Sequence, residues 1–220
     1  MIAVTSLGFN RIERQQYCVA TWKAMGMRVI AVQNPGETDR LKHDFPTVCF
    51  KEYELPLANL FSKNTPTIQS MTNQAIEENE TVLIINSDIS IKDRPSVFAS
   101  YWEVMPKTLS VGIRWNAAQG SKRRTREPWG IDVFMITKEM AEKVPDIGFR
   151  IGLPGWDFWI TYHLHTLGYG VHVTGSKLFH ENHPRGWNRD DQNAYRRMVA
   201  KQYNCTERML PYFIKDITKR

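Results

Sequence analysis

Three polar stretches follow or open apolar elements and carry residue types that do chemistry. Val82-Leu83-Ile84-Ile85 runs straight into Asn86-Ser87-Asp88. A carboxylate at the mouth of a buried strand suits a divalent cation that keeps several waters and bridges phosphate oxygens. The competing assignment is an Asp in an ordinary strand-to-loop turn. Gly155-Trp156-Asp157-Phe158-Trp159 opens a helix. The indoles of Trp156 and Trp159 offer a stacking wall and an apolar setting that raises a carboxylate pKa, while an Asp at a helix start is also a good N-cap. The third stretch is His180-Glu181-Asn182-His183-Pro184-Arg185. Its imidazoles can ligate a borderline metal or, when protonated, donate to phosphate.

The elements that must position these residues follow from hydrophobic spacing. Ile2–Leu7 is an apolar strand, and Arg11–Met25 places Ile12, Val19 and Trp22 on one helical stripe that Gly26 stops. Met27–Val32 and Thr47–Phe50 are the next strands. A helix starting at Thr65-Pro66 buries Ile68, Met71 and Ala75, ahead of the fully apolar strand Val82–Ile85. This β-α-β march predicts an α/β fold with a mostly parallel central sheet and helices on both faces. Pro95 opens a helix, Leu109–Ile113 and Ile131–Ile136 are strands, and Asn116–Pro128 is a polar, basic loop. Thr137 caps a short helix, Asp157–Leu167 is a helix ended by Gly168, and Tyr169–Thr174 is a strand. Leu178–Trp187 is irregular, and Asp190 begins a last amphipathic helix to Asn204. No repeat or linker interrupts residues 1–220, which predicts one domain.

Composition narrows the classes. With 42% hydrophobic and 24% charged residues, the chain is neither disordered nor fibrous. Cys18, Cys49 and Cys205 form no C-x-x-C pair, which excludes a zinc knuckle or disulfide framework and predicts a reducing, cytoplasmic setting, bacterial or that of a phage-infected host. The apolar opening lacks a basic leader, and no apolar run is of membrane length, so neither a signal peptide nor a membrane association is expected. No protein partner is implied. The net charge of +6 lies in the second half: residues 1–110 are nearly balanced, and residues 111–220 carry the excess of Lys and Arg. That asymmetry favours an anionic partner such as a nucleotide, a nucleic acid or an acidic glycan.

In order and spacing, the strand with its Asn-Ser-Asp end, the basic loop, the Gly-Trp-Asp helix start and the final Phe179-His180 resemble nucleotide-sugar glycosyltransferases of the GT-A fold. The resemblance spans roughly residues 1–187. It implies a Rossmann-like GT-A sheet, with residues 1–90 binding the nucleotide sugar and residues 91–220 the acceptor. It also implies a nucleotide-diphosphate sugar donor held through Mn²⁺ or Mg²⁺. The family's Asp-x-Asp motif aligns with Asn86 and Asp88, so only Asp88 matches the metal-ligand position. Asp157 matches the general base of inverting members, which deprotonates an acceptor hydroxyl as it attacks the anomeric carbon. His180 matches the C-terminal His that joins metal or diphosphate, and His183 is the alternative. Thr5 and Ser6 fall where the family holds base and ribose, Arg11 can face a diphosphate, and Asp132 falls at the sugar contact.

The acceptor side is read from charge. Lys122-Arg123-Arg124-Thr125-Arg126, with Arg185 and the interleaved Trp129 and Trp187, has the composition of a surface that stacks bases and pairs backbone phosphates. With Trp156 and His183 these residues suggest double-stranded DNA as acceptor. The matching subgroup is the phage-encoded enzymes that glycosylate hydroxymethylated pyrimidines, with the base flipped toward Asp157. A glycan or lipid-head-group acceptor is equally consistent, and a non-catalytic nucleic-acid-binding module is a further class. A nucleotidyltransferase would want a glycine-rich phosphate loop after the first strand, where Ser6-Leu7-Gly8-Phe9-Asn10 has one Gly. No G-x-G-x-x-G or P-loop occurs, which excludes the dinucleotide oxidoreductases and P-loop kinases that depend on them.

Overall fold

The structure is a computed structural model that describes residues 1–53, 64–117, 124–183 and 186–203. In chain order the first elements are β1 (Ile2–Thr5), α1 (Ile12–Ala24), β2 (Arg28–Gln33), α2 (Thr38–Lys42), β3 (Cys49–Glu52), α3 (Ile68–Glu77) and β4 (Val82–Ile85). They are followed by β5 (Ile89–Ile91), α4 (Pro95–Tyr101), β6 (Thr108–Ala117), β7 (Arg124–Ile136) and α5 (Lys138–Ala141). The last are α6 (Trp156–Thr166), β8 (Gly170–Val173), β9 (Leu178–Glu181) and α7 (Arg189–Tyr203).

The strands form one mixed sheet in the order β3-β2-β1-β4-β7-β6-β9-β5, with β8 also on β6. Pairs β1–β2, β1–β4, β2–β3, β6–β8 and β6–β9 are parallel, and β4–β7, β6–β7 and β5–β9 are antiparallel. The fold is therefore the expected α/β type with a mostly parallel sheet. Side-chain alternation along the strands splits the core in two. Val82 and Ile84 face one cluster with residues of α3, α5, α6 and α7, including Met71, Met140, Ile160 and Val199. Leu83 and Ile85 face the other, with Trp22 of α1, Leu41 of α2 and Phe98 of α4. A sheet covered on both faces explains why β4 reads as an unbroken apolar run. No helix among the described residues is long and apolar enough to cross a membrane.

Four sequence expectations are corrected. β1 stops at Thr5, because Leu7 leaves the ladder: its N–H donates to Gln33 Oε1 and its C=O accepts from Gln33 Nε2. α3 is capped at Thr67 rather than at Thr65-Pro66: the Thr67 hydroxyl accepts the Ser70 N–H at 3.1 Å. The described part of the basic loop is strand: Trp115 pairs with Arg126, Asn116 with Thr125 and Ala117 with Arg124, extending an antiparallel hairpin. Arg124, Thr125 and Arg126 are all exposed, so this end of the hairpin is held by cross-strand pairing rather than by burial. Leu178–Glu181 is also strand, held between β6 and β5 with Leu178 fully buried. The short α2 and β5 were not expected at all.

Candidate active site

The chain places β2 and β3 on one side of β1 and then crosses to β4 on the other, so strand order reverses between β1 and β4. Open α/β sheets bind ligands outside the carboxyl ends of the strands at such a point. A cleft of about 570 Å³ opens there, lined from the β1 end by Ser6, Leu7 and Gly8 and from the β4 end by Asn86, Ser87 and Asp88. Asp132, Asp157, His180 and His183 line the same cleft. The polar stretches singled out in the sequence thus meet at one rim.

Asp88 sits in the turn between β4 and β5, and the Ile89–His180 register brings β9 alongside it. Nε2 of His180 lies 3.2 Å and Nε2 of His183 2.8 Å from the same Asp88 oxygen, Oδ2. His183 is aimed there because the Asn182 N–H is tied to the Ala117 carbonyl at 2.9 Å, just past β9. Arg14 of α1 braces the turn from behind, donating to the carbonyls of Asp88 and Phe179, both at 3.4 Å. Burial works to raise the Asp88 pKa, but the two imidazole hydrogen bonds outweigh it and hold the carboxyl well below the usual range. The ligand atoms of Asp88, His180 and His183 all lie within 4.8 Å of one another, and Nδ1 of His180 is buried with no partner among the described residues. One carboxylate with two imidazoles fits a divalent ion; imidazole suits Mn²⁺ better than Mg²⁺, which favours all-oxygen shells.

A second constellation faces the first. Asp132 follows Ile131 in β7 and lies opposite Asn86, whose N–H donates to the Asp132 carbonyl at 3.2 Å. Asn86 Nδ2 donates to Asp132 Oδ1 at 2.5 Å, and Arg114 Nη1 donates to Oδ1 and Oδ2 at 3.0 and 2.8 Å. Asp132, only 4% exposed, lines the cleft while engaged in this charge network. Burial raises its pKa against the opposing pull of Arg114.

Asp157 is the second residue of α6 and is not the cap. That position belongs to Gly155, in the left-handed region at φ 85°, where a Cβ would also run into the Tyr195 ring. Burial first, and the neighbouring Asp132 second, push the Asp157 carboxyl up to about 7, against hydrogen bonds from the amides of Phe158 and of Asp157 itself. Trp156 is buried against Phe134 with ring centroids 5.0 Å apart, and it lines the cleft floor. Trp159 turns inward and stacks on Phe149, so it is core and not a stacking wall for a ligand.

The remaining candidates divide. The loop after β1 is held by two glutamines: Gln33 takes the Leu7 N–H and the Ser6 hydroxyl and donates to the Leu7 carbonyl, and Gln15 does the same for the N–H and C=O of Gly8. Ser6 thus lines the cleft with its hydroxyl already engaged. Thr5 is fully buried and does not line the cleft. Arg11 sits in the left-handed region at φ 58° and lines a neighbouring pocket of about 510 Å³ on the far side of Asp88. Arg124 and Arg126 are exposed on the hairpin away from the cleft walls, with Arg124 over the Phe179 ring at 4.1 Å. Trp129 lies within β7; Arg123 and Arg185 lie outside the described residues. Sequence reasoning missed Gln15, Gln33 and the part of the wall formed by Gln192 and Tyr195, whereas Trp187, named for the acceptor surface, lines the cleft beside them. A glutamine closing an apolar strand, as Gln33 does, was the one signal available.

No protein-family model matches the sequence, and no curated relative matches it. Among solved structures the chain is similar to a putative glucose-1-phosphate thymidylyltransferase from Bacillus anthracis in complex with a sucrose, with TM-score 0.50, 10% identity, and coverage of 94% of this chain and 98% of that one. It also aligns with the inositol-1-phosphate CTP transferase from T. maritima (TM-score 0.49, 13% identity, 90% and 95% covered). A third is a glycosyltransferase involved in the glycosylation of the major capsid of PBCV-1 (TM-score 0.42, 11% identity, 87% and 98% covered). At such identities the likeness is one of fold: a mixed α/β sheet of the Rossmann-like type.

Proposed function

We propose that this chain is a glycosyltransferase that moves a sugar from a nucleotide-diphosphate donor to an acceptor hydroxyl with inversion. The observation that carries the reading is a carboxyl poised near neutrality, Asp157, in the same cleft as the Asp88–His180–His183 cluster. A general base works best when its pKa lies near the operating pH. Asp157 takes the proton of the acceptor hydroxyl as its oxygen attacks the anomeric carbon. The bond from that carbon to the diphosphate oxygen breaks, and the nucleoside diphosphate leaves with the electron pair. Asp88, His180 and His183 would hold a divalent ion, which when bound supplies charge neutralisation to the diphosphate. The rigid Ser6–Gly8 loop offers the nucleoside a shaped surface, and Trp156, Trp187 and Tyr195 supply the walls that exclude water from the reacting centre.

A sugar-phosphate nucleotidyltransferase is the second reading, raised by the fold shared with the B. anthracis protein. That chemistry wants a backbone cradle for a triphosphate after the first strand. Here the Leu7 and Gly8 amides are already bound to Gln33 and Gln15, which favours the glycosyl transfer. For the acceptor, exposed Arg124 and Arg126 beside the exposed ring of Trp115 favour a phosphate-bearing polymer such as duplex DNA with hydroxymethylated pyrimidines. Incubation with a panel of nucleotide sugars and Mn²⁺ tests the function: slow release of free nucleoside diphosphate supports it, and pyrophosphate exchange supports the second reading instead.

A further inference from the structure

α7 starts on a reciprocal cap. Asn188 Oδ1 accepts the N–H groups of Asp190 and Asp191 at 2.9 and 3.0 Å. The buried Asp191 returns the bond, its Oδ2 accepting the Asn188 N–H at 2.9 Å. Asn188 and Asp191 are thereby the Ncap and N3 of a capping box. Trp187 falls at N′ and Gln192 at N4, the two positions whose side chains meet in a hydrophobic staple. Both line the cleft. An apolar side chain at N4 would close the staple; a carboxamide leaves it open to the cleft.

α7 is also clamped to α6, which carries Asp157. One turn beyond Gln192 the Tyr195 ring lies on Gly155, two residues before Asp157, where a Cβ would run into it. Farther along, Trp159 Nε1 donates to Gln202 Oε1 at 2.8 Å. Gln192 therefore stands in a fixed wall at the Asp157 end of the cleft. Its amide differs from the polar groups around it. Asn86, Asp132, Arg114, Ser6 and Thr65 line the cleft with side chains already hydrogen-bonded within the protein. The half-buried Gln192 amide makes no hydrogen bond to any described residue, and it offers two N–H donors and a carbonyl acceptor.

We propose that Gln192 is a specificity-determining residue for the sugar of the donor: its carboxamide binds hydroxyls of the pyranose, and the half-buried Trp187 indole takes the ring's C–H face. The inference rests on the glycosyltransferase reading. A pyranose joins an apolar C–H face to a rim of hydroxyls, and an indole with a carboxamide free to bond matches both. A few polar groups set against an apolar wall are how a cleft orients a small ligand. The transferred sugar links the diphosphate at the Asp88 cluster to the reacting oxygen at Asp157, so it lies along this wall. The acceptor polymer has the exposed hairpin arm of Arg124 and Arg126, away from the cleft walls.

Calorimetry in Mn²⁺ with UDP-glucose, GDP-mannose and dTDP-glucose, each beside its own nucleoside diphosphate, tests this through the ratio of the two affinities. In the parent at least one nucleotide sugar is expected to bind more tightly than its diphosphate. Gln192→Met keeps the side-chain length and removes the amide. It should lower that ratio by about 10-fold, the scale of one or two hydrogen bonds, while diphosphate affinity and melting temperature hold. Gln192→Leu places an apolar group at the staple position and carries the same test if the methionine variant does not fold. A ratio unmoved in the Gln192 variants overturns the proposal, as does a parent that binds every diphosphate as tightly as its nucleotide sugar. Loss of duplex DNA binding in Gln192→Met with the ratio unmoved also overturns it and gives the wall to the acceptor. Nucleoside-diphosphate release is scored separately. A lowered ratio without release sinks the glycosyltransferase reading and keeps the sugar subsite, whereas release with an unmoved ratio does the reverse.

Discussion

Nε2 of His183 stands 2.8 Å from Oδ2 of Asp88, although 95 residues of chain separate them. Nothing in either local sequence demands this contact. It arises because β9 enters the sheet between β6 and β5 and so delivers the segment after Glu181 to the end of β4. The pair makes the Asp88 cluster three-membered, and in the proposed glycosyltransferase its second imidazole would be the replacement for the first acid that Asn86 lacks.

That replacement has a measurable consequence. Asp88→Ala is expected to weaken nucleoside-diphosphate binding about 10-fold or more when Mn²⁺ is present, and to leave it unchanged in chelator. His183→Ala should follow the same pattern more mildly. Calorimetric titration with a nucleoside diphosphate, with and without the metal, separates the cases. An equal loss in chelator would make Asp88 a structural residue.

Asp157→Asn should lower transfer by about 10²–10⁴-fold, the usual contribution of a general base, with donor affinity nearly intact. Steady-state rates alongside donor titration check both halves. A variant as active as the parent contradicts the base assignment.

The raised Asp157 pKa also sets a stability trend. An acid whose folded pKa is about 7, against an ordinary 3.8, stays protonated in the folded state across that window while the unfolded chain has lost its proton. Folding stability therefore falls as pH rises from about 4 to about 7, and the deficit is constant above. Asp157→Asn removes the ionisation, so the variant should melt higher than the parent at pH 8 and converge with it below pH 4. Thermal melts at several pH values read the difference directly.

The glutamine-held loop gives a prediction independent of chemistry. Gln33→Ala strands the buried amide and carbonyl of Leu7, at about 1–3 kcal/mol for each unsatisfied group. Denaturant unfolding should show a loss in this range. A loss below 0.5 kcal/mol, typical of surface substitutions, would mean the loop does not depend on Gln33.

For the acceptor, Arg124→Gln combined with Arg126→Gln is expected to flatten the salt dependence of duplex DNA binding by up to two units of slope. An unchanged slope removes DNA from consideration.

The sheet was legible because β1, β2 and β4 are covered on both faces, and their continuous apolar runs carry that information locally. So was the meeting of Asp88 and Asp157, since one follows a strand and the other opens a helix whose end must lie at the sheet's rim; His180 instead lies within β9, a strand whose short sequence reads as irregular. The hairpin of β6 and β7 was not legible. Its described outer arm, Trp115–Ala117 paired with exposed Arg124, Thr125 and Arg126, buries little, so polar and basic residues there look like a loop until cross-strand pairing is known. The Arg114–Asp132 bond was hidden for a related reason. It depends on a register shift at Ile113 and on the missing Cβ of Gly130, neither of which leaves a period in the sequence.

The most direct measurement is the product released when the protein meets nucleotide sugars in the presence of Mn²⁺, identified by mass spectrometry in the parent and in Asp157→Asn. Free nucleoside diphosphate, lost in the variant and on chelation, is the expected result. Pyrophosphate-dependent exchange into the nucleotide sugar, or release that is indifferent to Asp157, contradicts it.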